Sequence, residues 1–274
     1  DDLRKFDVDF EGLKENVPSN AAKVSFRENV AKLNQDLIDK SIKEANAGAK
    51  IVFWAEANGQ ILKEDETQFY KEASKVAAQH NIYLGLGIAV LDPNSENPVE
   101  NKFVLFDHKG EKVIDYWKNI TVPGVERETS LEHRNGIFRT ESPYGTIAAA
   151  ICFDLDFPKF MKQSKDSDIF LAPSNDWEEL GPIHTDMAKF RAIEHGFNLI
   201  RHTSLGYSAG NDYTGKVISE MNHFKDEGKI MVTHLPTKGV ATIYSTIGDT
   251  FIVICLLMLI LVTVLLRKQE GKPL

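Results

Sequence analysis

Three side chains in this 274-residue chain have the types needed for acyl transfer through a cysteine: Glu56, Lys118 and Cys152. A thiol attacks a carbonyl group only after it loses its proton, so it needs a base, and a carboxylate can serve as that base. A lysine ammonium group would stabilise both the thiolate and the oxyanion that forms on attack. Taken singly, each residue has a more ordinary explanation, as a buried apolar cysteine or a solvated charge. Together they predict a nucleophilic active site.

Each of these three residues lies at or just past the C-terminal end of a predicted β-strand. Ligands bind at this end of the strands in open α/β sheets, because the loops that follow different strands meet there. We therefore expect the three side chains to share one site, although they are far apart in the sequence. The strands are predicted over residues 51–54, 112–117 and 146–151.

The rest of the chain alternates between helical and strand patterns. A helix is predicted from near Ser25, where Ser25 and Glu28 form a capping-box pattern, to Gly48. Two more helices are predicted over 68–79 and 185–195. This alternation predicts an α/β protein in which helices cover the outer faces of mixed sheets. The other strands are predicted over 82–90, 102–106, 169–172, 198–203, 216–219 and 230–235.

The overall composition is that of a folded, acidic protein. Hydrophobic residues make up 42% of the chain and charged residues 26%, and the formal net charge is −8. This balance excludes a disordered chain and argues against a nucleic-acid partner. The two cysteines, Cys152 and Cys255, exclude a disulfide scaffold and a cysteine-based zinc site. His184 and His195 lack a second ligand at metal-binding spacing on one helix face, so we expect no metal and no other cofactor.

An apolar segment near the C-terminus departs from this pattern. Residues 251–266 read FIVICLLMLILVTVLL, which is the short end of what crosses a bilayer as a helix. The alternative is a buried core helix, which would normally show a polar stripe. Arg267 and Lys268 follow directly and favour a cytoplasmic C-terminus. We therefore predict an extracytoplasmic catalytic domain over 1–249, a transmembrane helix over 250–266 and a short cytoplasmic tail over 267–274.

Four segments resemble signature segments of the nitrilase, or carbon–nitrogen hydrolase, superfamily. They occur in the order found in that superfamily, and the resemblance extends over about residues 25–249. The first segment corresponds to the one with the catalytic glutamate, the second to the one with the lysine and the third to the one with the cysteine nucleophile. The segments read AGAKIVFWAE at 47–56, KNITVPGVE at 118–126, AICFD at 150–154 and SNDW at 174–177.

The resemblance implies a nitrilase-like fold, which is a four-layer αββα sandwich, and it implies roles for particular residues. Glu56 would be the general base, Lys118 the cation that stabilises the oxyanion and Cys152 the nucleophile. Glu126 would be a second carboxylate near the thiol, with a surface-loop glutamate as the alternative. The other supporting or substrate-binding candidates are Phe153, through its backbone N–H, Asp154 and Trp177.

Within the superfamily, the chain is most similar to the apolipoprotein N-acyltransferase branch. The last two segments, the eight-residue spacing from Lys118 to Glu126 and the C-terminal apolar helix carry this similarity. It implies transfer of an acyl chain from a membrane phospholipid, through a cysteine thioester, to the N-terminal amine of a lipoprotein. A membrane-tethered amidase or nitrilase that hydrolyses a small amide is the first alternative. A non-catalytic binding domain is the second, and the complete set of glutamate, lysine and cysteine argues against it.

The tryptophans and two substitutions leave further questions open. Trp54, Trp117 and Trp177 each neighbour one of the signature segments, so they would either line an apolar acyl pocket or belong to the packed core. Ala55 replaces the proline that usually precedes the catalytic glutamate. Asp154 stands where the acyltransferase branch usually has glutamate.

Overall fold

The computed structural model describes residues 20–124, 126–127, 130, 136–269 and 271. Residues 1–19, 270 and 272–274 lie outside this part of the chain. The first 19 residues of the predicted catalytic domain and residues 270 and 272–274 of the predicted tail therefore fall outside the described residues.

The first β-sheet contains five strands: β1 (Ile51–Phe53), β2 (Gly59–Leu62), β3 (Tyr83–Leu91), β4 (Val99–Phe106) and β5 (Lys112–Trp117). Along one edge of β3, β1 and β2 pair in parallel with its first and its last residues. On the other edge, β4 pairs with β3 and β5 pairs with β4, both in antiparallel orientation. Every residue of β3 and β4 is buried, so these two strands form the centre of the sheet.

The second β-sheet contains six strands: β6 (Arg139–Thr140), β7 (Ile147–Ala149), β8 (Ile169–Asn175), β9 (Asn198–Ser204), β10 (Tyr207–Asn211) and β11 (Val217–Asn222). Each strand lies beside the one that follows it in the chain, from β6 at one edge to β11 at the other. The three central strands, β7 to β9, are parallel, and the outer strands are antiparallel.

The two sheets pack face to face, and helices cover their outer faces. Inward-facing side chains such as Phe103, Leu105 and Tyr116 of the first sheet share one core with Ile147 and Phe170 of the second. This is the predicted nitrilase-like αββα arrangement, and the structure confirms it. The helices are α1 (Asn20–Asn46) and α2 (Glu66–His80) on the first sheet, α3 (Pro158–Met161) and α4 (Gly181–His195) on the second, and then α5 (Ile243–Ile247) and α6 (Thr250–Gln269).

The N-terminal boundary of α1 differs from the prediction. The helix begins at Asn20, so Ser25 lies inside it and is not its N-cap. The residues before Ser25 include two alanines and a lysine, which are strong helix formers. The side chains of Lys23 and Arg27 also form ion pairs with Glu64 and Asp65, which hold the first turns of α1 against the segment after β2.

The predicted strand over 230–235 is wrong, because this segment pairs with no strand among the described residues. It has a short apolar run with β-branched residues, as strands do, but β9 and β11 already occupy both edges of β10. The segment instead packs over the face of β10. A Cβ atom built on Gly210 would lie 2.5 Å from the Thr233 hydroxyl. The strand β10 itself was not predicted.

The helix α6 has the length and composition of a membrane span. It covers 20 residues, and none of its most apolar window is buried against the rest of the described chain. Its apolar side chains are exposed around the whole circumference. This arrangement excludes the alternative of a buried core helix. A candidate transmembrane helix is therefore present where the sequence predicts one.

Candidate active site

Lys118 is at the centre of a buried cluster of charges. It directly follows β5, and its side chain is 4% exposed. Its Nζ atom lies 2.8 Å from Oε1 of Glu56 and 2.7 Å from Oε1 of Glu126. Asn101 of β4 donates from Nδ2 to Oε1 of Glu56 (2.7 Å) and to Oε1 of Glu126 (3.2 Å). The structure thus brings together the predicted Glu56 and Lys118, the predicted supporting carboxylate of Glu126, and Asn101.

Glu56 reaches this cluster because the chain between β1 and β2 leaves the edge of β3. The backbone of Trp54 still bonds to Gly85, and β2 resumes pairing at Ile88, but the intervening residues pass over Gly87. A Cβ atom on Gly87 would lie only 2.1 Å from the carbonyl oxygen of Ala55. Glycine at this position therefore allows the close approach that carries the carboxylate towards β4 and Lys118.

Cys152 lies on a tight turn after β7. It begins a short 3₁₀ helix, Cys152–Asp156, and its φ of 46° is in the left-handed region. Such a conformation costs about 1–2 kcal/mol for a residue with a side chain, so the surrounding contacts must hold it in place. The thiol is buried, and its Sγ atom lies 3.7 Å from the backbone oxygen of Asn175 at the end of β8.

The charges around Cys152 determine which groups carry protons at rest. Burial raises the pKa of the Cys152 thiol, and the negative charge of Glu56 raises it further, while Lys118 opposes both effects. For Lys118, burial lowers the pKa, but the carboxylates of Glu56 and Glu126 outweigh burial and raise it above its ordinary value. The resting site therefore holds a neutral thiol beside a charged ammonium group. Attack by sulfur then requires transfer of the thiol proton to a base, and the carboxylate bound to Lys118 can accept it.

Asp154 joins the loop that follows Lys118 to the turn that carries Cys152. Its fully buried carboxylate accepts hydrogen bonds from the Tyr116 hydroxyl (2.6 Å), the backbone N–H of Ile120 (2.8 Å) and that of Ile151 (3.2 Å). Burial raises the pKa of Asp154 to about 7, although these donors and Lys118 act in the opposite direction. The aspartate side chain is shorter than the glutamate that is usual in the acyltransferase branch, but it still reaches these three donors.

A second buried network lies on the other side of Cys152. Arg201 of β9 forms a bidentate pair with Asp176, with distances of 2.8 and 3.0 Å. His184 of α4 bonds to Asp176 through Nδ1 (2.7 Å) and to Asp156 through Nε2 (2.9 Å). Burial lowers the pKa of His184, but the two carboxylates outweigh burial and raise it. The network ties α4 and β9 to the turn that holds the thiol.

The ligand atoms of Cys152, Asp176 and His184 lie within 4.8 Å of one another, which is close enough to hold a metal ion. The chemistry of the donors does not favour one. Both ring nitrogens of His184 and both oxygens of Asp176 already have hydrogen-bond partners. The guanidinium group of Arg201 also places a positive charge against the carboxylate. We therefore interpret Asp176 and His184 as members of an ion-pair network that lies beside the thiol.

The tryptophans and the remaining candidates differ in their surroundings. Trp54 points away from the cluster, into the core beneath α1 and α2, where its ring nitrogen donates to Ser41. Trp117 lies under the ammonium group of Lys102, 4.1 Å from the ring centroid. Trp177 follows Asp176 directly and is 55% exposed, so it is the most exposed of the three tryptophans.

Two further pairs of side chains lie in the segments near the site. The ring of Phe153, which is partly buried, packs edge-to-face against Phe157 at 5.0 Å. Within α4, Arg191 and Glu194 form an ion pair, with Nη1 and Oε2 3.0 Å apart. Only the first pair lies on the turn that carries the thiol.

Sequence reasoning missed three residues of the site: Asn101, Gly87 and Arg201. Asn101 lies in the middle of a strand, and its role depends on the register that aligns β4 with β3 and β5. Gly87 is one of several glycines in the sequence, and its importance depends on which segment of the folded chain passes over it. For Arg201, a charged residue within the pattern of strand β9 was a possible signal, because a buried arginine needs a buried carboxylate partner.

We expect Gly87→Ala to lower kcat/KM on the order of 10²-fold, because the new methyl group would displace Ala55 and with it the carboxylate of Glu56. Gly85→Ala is the matched control on the same face of β3. Its methyl group would meet the Phe103 ring and the Phe53 side chain, so it should lower Tm with a smaller loss of rate. Equal losses of rate at equal Tm in the two variants would contradict this role for Gly87.

A sequence profile of the carbon–nitrogen hydrolase family matches residues 26–244. The chain belongs to this family. Among solved carbon–nitrogen hydrolase structures, an amidase from Nesterenkonia sp. superposes with a TM-score of 0.64 at 16% identity, covering 76% of this chain and 85% of the amidase. At this level of identity the superposition supports the shared fold.

Curated relatives within the carbon–nitrogen hydrolase family are named apolipoprotein N-acyltransferase. The protein from Borreliella burgdorferi is 25% identical over 267 residues, covering 86% of this chain and 51% of the relative. Apolipoprotein N-acyltransferase 2 from Treponema denticola is 24% identical, covering 90% and 53%. The protein from Photobacterium profundum is 34% identical over 134 residues, covering 46% and 26%. The chain thus spans about half the length of the first two relatives.

Proposed function

We propose that this chain is the catalytic part of a membrane-anchored acyltransferase that moves an acyl chain from a phospholipid to the N-terminal amine of a lipoprotein. The observation that carries the proposal is the match to apolipoprotein N-acyltransferases over 86–90% of the chain. The buried cluster around Lys118 and the exposed apolar helix α6 support it.

In the first half-reaction, Glu56 accepts the Cys152 thiol proton as sulfur attacks the carbonyl carbon of a phospholipid ester. The carbonyl oxygen becomes an oxyanion, which the ammonium group of Lys118 and the backbone N–H of Phe153 would stabilise. When the ester C–O bond breaks, Glu56 returns the proton to the departing alkoxide. The products are a lysophospholipid and an acyl thioester on the cysteine.

In the second half-reaction, an N-terminal amine attacks the thioester carbonyl carbon. Glu56 accepts a proton from the amine, and the C–S bond of the tetrahedral intermediate breaks. The thiolate then recovers a proton from Glu56, which restores the resting site. The same thioester could react with water and release a fatty acid, so the acceptor decides between transferase and hydrolase.

The membrane helix favours a lipid substrate on physical grounds. A long acyl chain is almost insoluble in water, so a free enzyme would meet it rarely. A thiol tethered beside a bilayer meets the ester at a high effective concentration. The exposed Trp177 next to the Asp176 network is a candidate contact for the acyl chain or the acceptor.

The test supplies the full chain, in detergent or vesicles, with a phospholipid carrying an isotope-labelled acyl chain and with a diacylglyceryl-cysteine peptide. We expect the label in an amide on the peptide. Label recovered only as free fatty acid, or hydrolysis of simple amides without use of phospholipid, would favour the tethered amidase. Failure with every substrate, together with an intact fold, would favour the non-catalytic binding domain.

We further propose the arrangement of the domains across the membrane. Residues 1–249 would lie outside the cytoplasm, 250–266 would cross the bilayer and 267–274 would lie inside, because Arg267 and Lys268 end the helix. Reporter fusions near Asn94 and after residue 274 should report opposite sides of the membrane. Signals from the same side would contradict this topology.

A further inference from the structure

The outward face of α4 is apolar, which is unusual for a surface helix. Ile183, Met187, Phe190 and Ile193 are all exposed, with Ile183 at 62% and Phe190 at 56%. We call these four residues the α4 face. A helix on the surface of a water-soluble protein normally presents polar side chains outwards. Contiguous exposed apolar surface marks a site of interaction with a partner or a membrane.

The α4 face is not needed to attach α4 to its sheet. The opposite side of the helix, which includes Ala188, Ala192 and Thr185, is buried and makes that contact. Within the described part of the chain, the four apolar side chains remain 38–62% exposed, although Ile193 lies against Gly215. The fold therefore keeps them exposed, and their apolar character requires another explanation.

One end of α4 is fixed beside the start of the candidate membrane helix. The backbone N–H of Val240 donates to Gly196 just after α4 (2.8 Å), and the Thr242 hydroxyl donates to the backbone oxygen of Glu194. The short helix α5 follows, with Ile243 79% exposed and Ile247 44% exposed. The helix α6 begins three residues after α5 ends. Exposed apolar surface thus continues from α4 through α5 into α6.

The other end of α4 lies at the candidate active site. His184, in its first turn, bonds to Asp156 and Asp176 beside Cys152. A helix of 15 residues is about 22 Å long. The helix α4 therefore extends from the start of the membrane anchor to the residues beside Cys152 over this distance.

We propose that the α4 face rests in the surface of the same bilayer that α6 crosses, so that the segments beside Cys152 lie close to the lipid. This inference rests on the membrane anchoring in the proposed function and names the surface that approaches the donor. On α4 itself the charges beside the face are paired, Asp186 with Lys189 and Arg191 with Glu194. The anchor holds the bilayer next to the face at all times, which favours lipid over a second copy of the chain.

The test measures how deeply the α4 face enters the membrane. The full chain with Cys152→Ala and Cys255→Ser receives Phe190→Cys and a polarity-sensitive nitrobenzoxadiazole label, and it is reconstituted in phosphatidylcholine and phosphatidylglycerol vesicles. Val24→Cys, on the exposed side of α1 in the opposite outer layer, is the control. Spin-labelled lipids should quench the label at 190 severalfold more than the label at 24. This background lacks the nucleophile, so the result does not depend on whether acyl transfer occurs.

Two outcomes would overturn the inference. Equal, weak quenching at both positions would show that the α4 face stays in water. A label at 190 that is shielded from water but not quenched by spin-labelled lipid, with disulfide cross-linking between two 190 positions, would show that a second copy covers the face. Failure of the acyl-transfer assay with strong quenching at 190 would instead contradict only the proposed reaction.

Discussion

Replacing Cys152 with alanine should reduce turnover on the order of 10⁴-fold or more while leaving the fold intact. The loss follows because no other group on this turn could form the covalent acyl intermediate. The fold should survive because the thiol makes only one weak hydrogen bond among the described residues, to the backbone oxygen of Asn175. Alanine tolerates the left-handed backbone at this position no worse than cysteine does. The measurements are kcat/KM with a phospholipid donor and Tm.

The matched control for this variant is Cys255→Ser. Cys255 is the other cysteine of the chain and lies in α6, away from the cluster around Lys118. Its replacement should leave kcat/KM within experimental error of the parent protein. Residual activity in Cys152→Ala comparable to that of the control would rule out a nucleophilic role for Cys152.

Lys118→Arg should lower kcat by about 10²–10³-fold, the usual loss when a group that stabilises an oxyanion is removed or misplaced. The ammonium group sits between two carboxylates at 2.7–2.8 Å in a buried site, where a compact point charge fits. A planar guanidinium group carries the same charge but has a different shape and length. The positive charge would persist, so the effect should appear mainly in kcat rather than as unfolding.

A second buried lysine provides the control for this substitution. Lys102 of β4 is 2% exposed, and its Nζ atom lies 2.5 Å from Glu66 and 2.6 Å from Glu100. It adjoins Asn101 in the strand but faces the opposite side of the sheet. Lys102→Arg should therefore change Tm without a large loss of kcat. Equal losses of kcat in the two variants would mean that Lys118 contributes only to stability.

The sequence predicts the positions of the main catalytic candidates well, because each depends on a short local pattern. A run of β-forming residues ends just before Glu56, Lys118 and Cys152, and the fold brings the ends of these strands together. The αββα layers are predictable for a similar reason, since helical and strand periodicities alternate along the chain. The apolar segment that forms α6 is visible from composition alone.

The sequence does not reveal features that depend on contacts between distant segments. The role of Asn101 follows from its register opposite Ala89, and the role of Gly87 follows from the loop that crosses it. The segment over 230–235 has a strand pattern, but no free sheet edge is left for it beside β10. The apolar α4 face has a helical period, yet its outward direction becomes clear only once the buried side of the helix is known.

The most direct test of the account is mass spectrometry of the peptide that contains Cys152 after the full chain is incubated with a phospholipid and no acceptor. The account predicts a mass increase equal to one acyl chain on Cys152. This adduct should be labile to hydroxylamine, as a thioester is, and should disappear when a diacylglyceryl-cysteine peptide is added. The Cys152→Ala variant should gain no acyl mass. An unmodified Cys152 in a protein that still transfers the acyl chain would contradict the account.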